Sequence, residues 1–391
     1  MKRCSTTLVA VSLGLLAQGA LAESSITLYG TIDGGFQSLS KDRFGKRQTV
    51  FQDSPAASNR FGARGAYDVI EDMQVTFNLE GRYFLNGNGP GAQYASNSNV
   101  VSRLFDRSAN IGLNSKVGDF RLGFINNPLT GAHVAGDIRP AINSGGGIFA
   151  WYRNRQINST CADGYCDFTF LQHALSYKSP VVAGLTASGF YVFGSGNRDA
   201  NTTGSDNNGG YGLALNYTAA PFSGNVGVQQ MQDQTGVKIG QVALLNAGYS
   251  SGPWAVRAGT TQFKQFAGGV LYRLSSATNT AAPATTPTVD QTNWQHNVGV
   301  SFKPNEPMTL YAAAYRYTRK GDAAQKIDLV SLGLDYALGK RATSYVIVSG
   351  AKNGSAANQS AGFYALTTTP GASNTAITIG VRANFDIGFK L

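Results

Sequence analysis

Between Met73 and Leu85 apolar and polar residues alternate almost without a break. Met73, Val75, Phe77, Leu79, Tyr83 and Leu85 share one parity, with Gly81 among them. Gln74, Thr76, Asn78, Glu80 and Arg82 take the other, until Phe84. A period of two places successive side chains on opposite faces of a strand. One face here is greasy and the other is wet and charged. The pattern recurs along nearly the whole chain. A closed membrane barrel needs this arrangement, with apolar residues toward lipid and polar residues toward the lumen.

The alternation predicts sixteen strands. They lie near 25–37, 58–70, 73–85, 101–115, 119–126, 169–178, 184–193, 210–218, 224–232, 240–250, 254–266, 292–303, 308–319, 326–338, 342–352 and 375–385 or beyond. Tight turns fall near 71, 117, 181, 221, 252, 305 and 340, with long loops at every other junction. Short periplasmic turns and long extracellular loops are the rhythm of up-and-down outer-membrane barrels. A soluble β-sandwich also alternates, but does not predict that rhythm over so many strands. Closure also removes the edge strands that invite aggregation.

Composition agrees with this reading. Charged residues make up 14% of the chain, against roughly 25% in soluble domains. No internal segment approaches the roughly 18–20 apolar residues of a membrane-spanning helix. Tyrosines near predicted strand ends (Tyr67, Tyr83, Tyr177, Tyr217, Tyr249, Tyr272 and Tyr317) suit interfacial girdles.

The N-terminus reads as a secretory signal over residues 1–22. Lys2 and Arg3 precede an apolar stretch from Leu8 to Leu16, and Ala20-Leu21-Ala22 is a small-residue cleavage site. The barrel domain is then 23–391. Removing Lys2 and Arg3 takes Lys+Arg from 32 to 30 against 22 acids, a net +8. Cys161 and Cys166, in Cys161-Ala-Asp-Gly-Tyr-Cys166, are expected to close a small disulfide loop in this exported context. Zinc is the competing reading, with no second pair to complete a site. The basic residues are dispersed, so nucleic acid is not an expected partner. No phosphate loop or metal-spaced histidine cluster is present, and no cofactor is expected.

Several stretches resemble the general porins of Gram-negative outer membranes, especially the trimeric β-proteobacterial type. Ser25-Ile-Thr-Leu-Tyr-Gly-Thr-Ile-Asp33 is similar to that family's first strand, and Ser58-Asn-Arg-Phe-Gly-Ala-Arg-Gly65 to its second. Leu104-Phe-Asp-Arg-Ser-Ala-Asn-Ile-Gly-Leu113 and Gly118-Asp-Phe-Arg-Leu-Gly123 resemble the fourth and fifth. Leu175-Ser-Tyr-Lys-Ser-Pro180 with Ala183-Gly-Leu185, and Leu332-Gly-Leu-Asp-Tyr-Ala-Leu338 with Lys340-Arg341, continue the match. The resemblance implies a 16-stranded antiparallel transmembrane β-barrel, a homotrimer, and an infolded constriction loop at about 127–168. It places Arg60 and Arg107 at wall-arginine positions, and Lys178 or Ser176 in the region of a third. Phe124 stands where the family often has a basic residue. Asp137 is the best acidic candidate on the loop, beside Arg139.

Parity adds its own assignments. Arg60, Arg64 and Asp68 fall opposite Phe61, Ala63, Tyr67 and Val69, hence toward the lumen, as do Glu80, Arg82 and Arg121. Arg107 conflicts, because strict alternation groups it with Ile111 and Leu113. A bulge or a subunit-facing position resolves this. Ala63, Gly65 and Ala109 on the outer parity suit subunit packing. After Phe385 the alternation continues through Ile387, Phe389 and Leu391, which reads as a longer last strand or a short appended tail.

These features together point to passive diffusion of small hydrophilic solutes and ions, with mild anion preference and no catalysis. Two competing readings are an outer-membrane barrel enzyme and a plugged receptor or adhesin barrel. For an enzyme, His133, His173 and His296 are the histidines beyond the signal, and none has a recognisable catalytic setting.

Overall fold

The computed structural model describes residues 24–85, 92–96, 99–140, 142–147, 169–193, 209–232, 238–267, 272–273, 282–283, 289–363 and 366–390. The signal segment and both Cys161 and Cys166 lie outside them. Sixteen antiparallel strands form the wall. They are β1 Ser25–Leu39, β2 Arg60–Ile70, β3 Met73–Arg82, β4 Ser108–Ser115, β5 Gly118–Asn126, β6 Phe170–Lys178, β7 Leu185–Val192 and β8 Gly210–Ala219. Then follow β9 Phe222–Gln232, β10 Lys238–Ser251, β11 Trp254–Gln265, β12 Gln291–Asn305, β13 Met308–Arg319, β14 Asp322–Ala337, β15 Ala342–Asn353 and β16 Asn374–Lys390. Each strand pairs with the next, and β16 pairs with β1 from Ser25↔Lys390 to Leu39↔Ala376. That last ladder closes the barrel. It also extends β16 well past Phe385, as a longer strand and not as a tail.

The outward residues are those the period-2 pattern made apolar. Leu28, Ile32 and Phe36 on β1 and Ile377, Ile379 and Val381 on β16 are exposed on the outer surface. Aromatic rings gather near the short-turn end, as in Phe222–Tyr249, Trp254–Phe302 and Phe120–Tyr177. Rings also gather near the long-loop end, as in Tyr191–Phe193 and Phe36–Phe51. Such bands suit the two headgroup layers. Among the described residues no helix is long and apolar enough to cross a membrane.

Three boundaries differ from the sequence reading, each for a local reason. The loop after β1 carries a strand, Gln48–Asp53, that pairs with Gly34–Leu39. It occupies the wall position above β2, which pairs only with Ser25–Thr31. The fourth strand begins at Ser108, not 101. Residues 99–103 instead pair with 92–96, and Asp106 holds the turn by accepting from the Arg82 backbone N–H at 2.7 Å. The junction of β13 and β14 is the tight turn Lys320-Gly321, so one loop on the long-loop side is short. Between β5 and β6 the register shifts at Gly123/Ile125, with Gly123 at φ +125° and His173 at φ +47°.

The described part of the segment after β5 lies inside the barrel. Helix α1, Pro128–Ala135, starts at Asn127, whose side chain accepts from the Leu129 N–H at 2.9 Å. This is an N-cap followed by Pro at the first helical position. Leu129 and Ala132 pack into a cluster with Ile125, Leu171, Phe190, Val192, Met231, Val242, Leu244 and Phe263. The inner faces of β6 to β11 are therefore apolar where the helix covers them. Farther on, Gly145, Gly146 and Gly147 have φ of +78°, +85° and +101°. A Cβ at Gly145 would stand 2.5 Å from Ile347, and one at Gly146 would overlap Leu329. Only glycine lets the backbone run this close to the wall in that conformation.

Two outcomes follow. Leu129→Ala should lower the barrel's unfolding free energy by about 2–5 kcal/mol, since Leu129 is fully buried, read as a lower thermal midpoint in detergent. His133 is fully buried on α1, and burial pushes its pKa down to about 3. The unfolded chain takes up this proton near pH 6.5 and the folded chain does not until about 3. Stability from this site is thus present above pH 6.5 and is lost as pH falls toward 3. A His133→Asn variant should show a flatter decline of the midpoint over that window.

Candidate functional site

The infolded segment divides the interior. After α1, the chain follows the inner wall of β10 to β15. Asn246 Nδ2 donates to the Ala132 carbonyl at 3.1 Å, and Asn297 Nδ2 to the Gly136 carbonyl at 2.8 Å. Arg257 Nη1 donates to the Ala135 carbonyl at 2.8 Å. Ile142 then packs with Ala56, Tyr345 and Ile347. Asn143 Nδ2 reaches the Ser54 carbonyl at 2.8 Å, and Gly145 the Gly362 carbonyl at 3.2 Å. The inner wall left uncovered by these contacts is the arc of β16 and β1 to β5. A cavity of about 680 Å³ lies against it, lined by Tyr29, Arg60, Arg64, Asn78, Glu80 and Arg121 among others.

Register fixes which side chains enter that arc. Rows run Asn384–Thr31–Arg60–Arg82, then Asp386–Tyr29–Gly62–Glu80–Ser108, then Gly388–Thr27–Arg64–Asn78–Asn110. Arg121, opposite Gly112, continues the inner face on β5. Arg60, Arg64, Arg82, Arg121 and Glu80 thus share the inner face, with Asp68 on the same parity toward the short-turn end. Lys178 pairs in register with Asp119 at that same end, away from Arg60.

Arg107 also points inward. Its Nε lies 2.5 Å from Glu80 Oε1, and its guanidinium lies 5.3 Å from the Phe170 ring centroid. The parity conflict disappears because Arg107 precedes β4. It belongs to the turn Leu104–Arg107, where alternation does not apply. Its backbone N–H donates to the Glu80 carbonyl at 3.0 Å.

Charges pair across the arc. Glu80 holds Arg107 and sits 3.9 Å from Arg60. Arg82 pairs with Asp106 at 2.6 Å, and Arg121 with Asp119 at 2.8 Å. Asp33 is buried, accepting from the Tyr345 hydroxyl at 2.6 Å and from the Ala56 and Ala57 N–H groups at 2.6 and 2.5 Å. It ties β1 and β15 to the segment 54–59.

The expectation that Asp137 presents an acid to the open lumen is corrected. Asp137 is 1% exposed. Its Oδ1 accepts from Tyr315 at 2.9 Å and from the Arg139 N–H at 3.1 Å. It anchors the segment to the wall opposite the arginine arc. Arg139 is likewise held, with Nη2 3.4 Å from Asp335 and the guanidinium 5.0 Å from the Tyr311 ring centroid. Phe124 pairs with Ala109 on the outer parity, so no basic side chain enters there.

One inner arginine lies outside the sequence assignments. Arg382 on β16 stands opposite Asp33 and Thr343, close enough to Arg60 and Asp33 for their charges to interact. Among the described residues it makes no ion pair or hydrogen bond. The signal was available, since Thr378, Gly380 and Arg382 oppose Ile377, Ile379 and Val381. His133 is buried beside Phe263, and His296 lies outside the barrel, 3.0 Å from Thr260 Oγ1. Among the described residues no group of three or more His, Cys, Asp or Glu could hold a metal.

Comparison with known proteins fits this geometry. The Gram-negative porin family matches residues 5–356. The outer membrane porin protein 32 of Delftia acidovorans is 27% identical over 388 residues, covering 97% of this chain and 99% of the relative. An outer membrane porin protein of Bordetella pertussis is 24% identical over 425 residues, covering 97% and 99% respectively. Among solved structures, an anion-selective porin from Comamonas acidovorans superposes with a TM-score of 0.73 at 22% identity, covering 93% of this chain and all of that one. A trimer form of OmpT from Vibrio cholerae gives 0.62 at 13% identity, with the same coverage. A closed 16-stranded wall, an infolded segment and a family match over nearly its whole length lead to one conclusion: the chain belongs to the Gram-negative porin family and forms a channel in the outer membrane.

Proposed function

We propose that the channel prefers anions, that its passage follows the arginine arc, and that the barrel works as a homotrimer without enzymatic activity. The observation that carries the first point is the charge surplus at the narrowing. There Arg60, Arg82, Arg107 and Arg382 face Asp33, Glu80 and Asp106, while Arg64 and Arg121 stand nearer the short-turn end with Asp68, Asp119 and Asp386. In a narrow, low-dielectric passage a fixed surplus raises local anion concentration. At physiological salt the Debye length is about 8 Å, so charges at the narrowing dominate and distant ones such as Lys178 count little. The infolded segment supplies the narrowing, and Arg60, Arg64, Arg107, Arg121, Glu80 and Asp68 line the route. Small hydrophilic anions are the solutes it favours. The anion-selective relative from Comamonas acidovorans supports the same reading.

The homotrimer is supported by the trimeric relative from Vibrio cholerae and by the outer face of β2 to β4. Ala63, Gly65 and Ala109 keep part of that face low, and Phe61, Phe77 and Leu79 make it apolar. Residues 1–22 act as a cleaved export signal, and Cys161–Cys166 close a disulfide loop on the infolded segment. Against catalysis, His133 is fully buried on α1, out of reach of a solute in the lumen. His296 and Thr260 touch on the lipid side, where no solute binds.

The test is reversal potential in a planar bilayer under a salt gradient. The protein should show triplet openings and an anion-favouring potential. A potential of the opposite sign would overturn the assignment. Arg382→Gln should cut the anion-to-cation permeability ratio by roughly half, because one fixed charge at the narrowing is removed. Removing Arg82 and Asp106 together, as Arg82→Gln/Asp106→Asn, leaves the net charge unchanged. That variant should keep a ratio close to the parent's.

A further inference from the structure

The outer wall is charged in one sector only. On β1 to β9 and on β16 no outward-facing position among the described strand residues holds Lys, Arg, Asp or Glu. All such residues lie on β10 to β15, near the long-loop end. Apart from Asp322 beside the β13–β14 turn, they are Lys238, Lys264, Arg316, Lys326, Asp328 and Lys352. Lys238 pairs with Gln232 and Lys264 with Gln241. His296, Arg316, Asp328 and Lys352 stand directly opposite one another across β12 to β15. With strands about 5 Å apart, that row is roughly 15 Å wide.

The row has internal order. Asp328 receives Arg316 Nε at 2.6 Å and Lys326 Nζ at 3.1 Å, which fixes both cations side by side. Lys352 makes no ion pair or hydrogen bond among the described residues. Across the sector five cations stand against two carboxylates, Asp328 and Asp322, which leaves a positive excess. Charged groups on a lipid-facing wall are costly at mid-membrane and nearly free at the interface. This row sits one step above the last apolar outward residues, Val298, Ala314 and Val330, of which Val330 is 60% exposed. Trp294, stacked on His296 at 6.0 Å, stands one step nearer the long loops.

We propose that this sector is a binding site for a phosphate-bearing lipid headgroup of the outer leaflet. Arg316, Lys326 and Lys352 would hold the phosphate, and the lipid's chains would lie on the exposed Val330, Leu332 and Val348 beneath. The level of the row and the apolar surface directly under it favour a lipid over a soluble partner, which would have to enter the membrane to cover both. The sector is on the side of the barrel away from β2 to β4, so it stays open in a trimer packed through those strands. It takes no part in the passage, because every residue in it faces away from the lumen.

The test uses the full-length protein in neutral detergent, with lipid retention counted by native mass spectrometry. Phosphatidic acid should be retained at least about tenfold more tightly than phosphatidylcholine of the same chain length. Arg316→Gln/Lys326→Gln/Lys352→Gln should erase that difference while conductance stays as in the parent. Lys352→Gln alone breaks no pair and leaves the wall intact; it should weaken retention severalfold and serves if the triple variant folds poorly. Equal retention of both lipids would overturn the proposal, as would full retention by Lys352→Gln and the triple variant. Displacement of phosphatidic acid by equimolar inorganic phosphate would also overturn it, by showing a site for the free ion.

Discussion

Hydrocarbon offers no partner for a backbone N–H or C=O, so every strand in it must be paired on both sides. Closure of β1 on β16 meets that demand, and the rest of the molecule depends on it. The ladder runs the full length of β1, from Ser25 to Leu39. Once the ring is closed, each residue has a fixed inside or outside. The outward set is apolar because it meets lipid, and the inward set is free to carry charge. Arg60, Arg82 and Glu80 reach the lumen for the same reason that Phe61, Gly81 and Leu79 reach the membrane.

A ring of sixteen strands is too wide for its own side chains to fill. The segment after β5 takes up part of the space, and it does so by two kinds of contact. Over β6 to β11 the contact is apolar, with Leu129 and Ala132 set among inward Leu, Val, Met and Phe side chains. Over β10 to β15 polar contacts are added, with wall amides and hydroxyls serving backbone carbonyls and the Asp137 carboxylate, while Ile138 and Ile142 pack on Tyr315, Leu329, Tyr345 and Ile347. Burying that carboxylate is tolerable because it is hydrogen-bonded, and removing its donors would expose the full cost of an unsatisfied charge. The outcome is asymmetric. One half of the wall holds the segment, and the other half, rich in arginine, borders the remaining space.

Much of this was legible in the alternation alone. Strand number and the inside set on β2 and β3 follow from a period of two, whereas past Phe385 the alternation allows a longer strand or a tail and the pairing with β1 decides for the strand. Where alternation ends, legibility ends with it. Arg107 conflicts with strict alternation because it lies in the turn before β4, and the turn held by Asp106 has no period to read. Asp137 was expected in the lumen because it is an acid on the infolded segment, and nothing local tells an acid facing water from one clasped by Tyr315 at a separation of 178 residues. Arg382 is the opposite case. Its parity is plain, since Thr378, Gly380 and Arg382 alternate with Ile377, Ile379 and Val381. The tight Lys320-Gly321 turn was hidden by the polar run Asp322–Lys326, which reads as loop but pairs as strand beside the extracellular rim.

The central claim is that solutes pass along the arginine-bearing half of the interior while α1 seals the other half. Single-channel current with cysteine probes tests it most directly, in a background with Cys161 and Cys166 replaced by serine. A bulky thiol reagent on Asn78→Cys, in the arc, should lower the unit conductance stepwise, and the same reagent on Ala214→Cys, beneath α1, should leave it unchanged. Block at position 214 with none at 78 would place the passage on the wrong side and contradict the account.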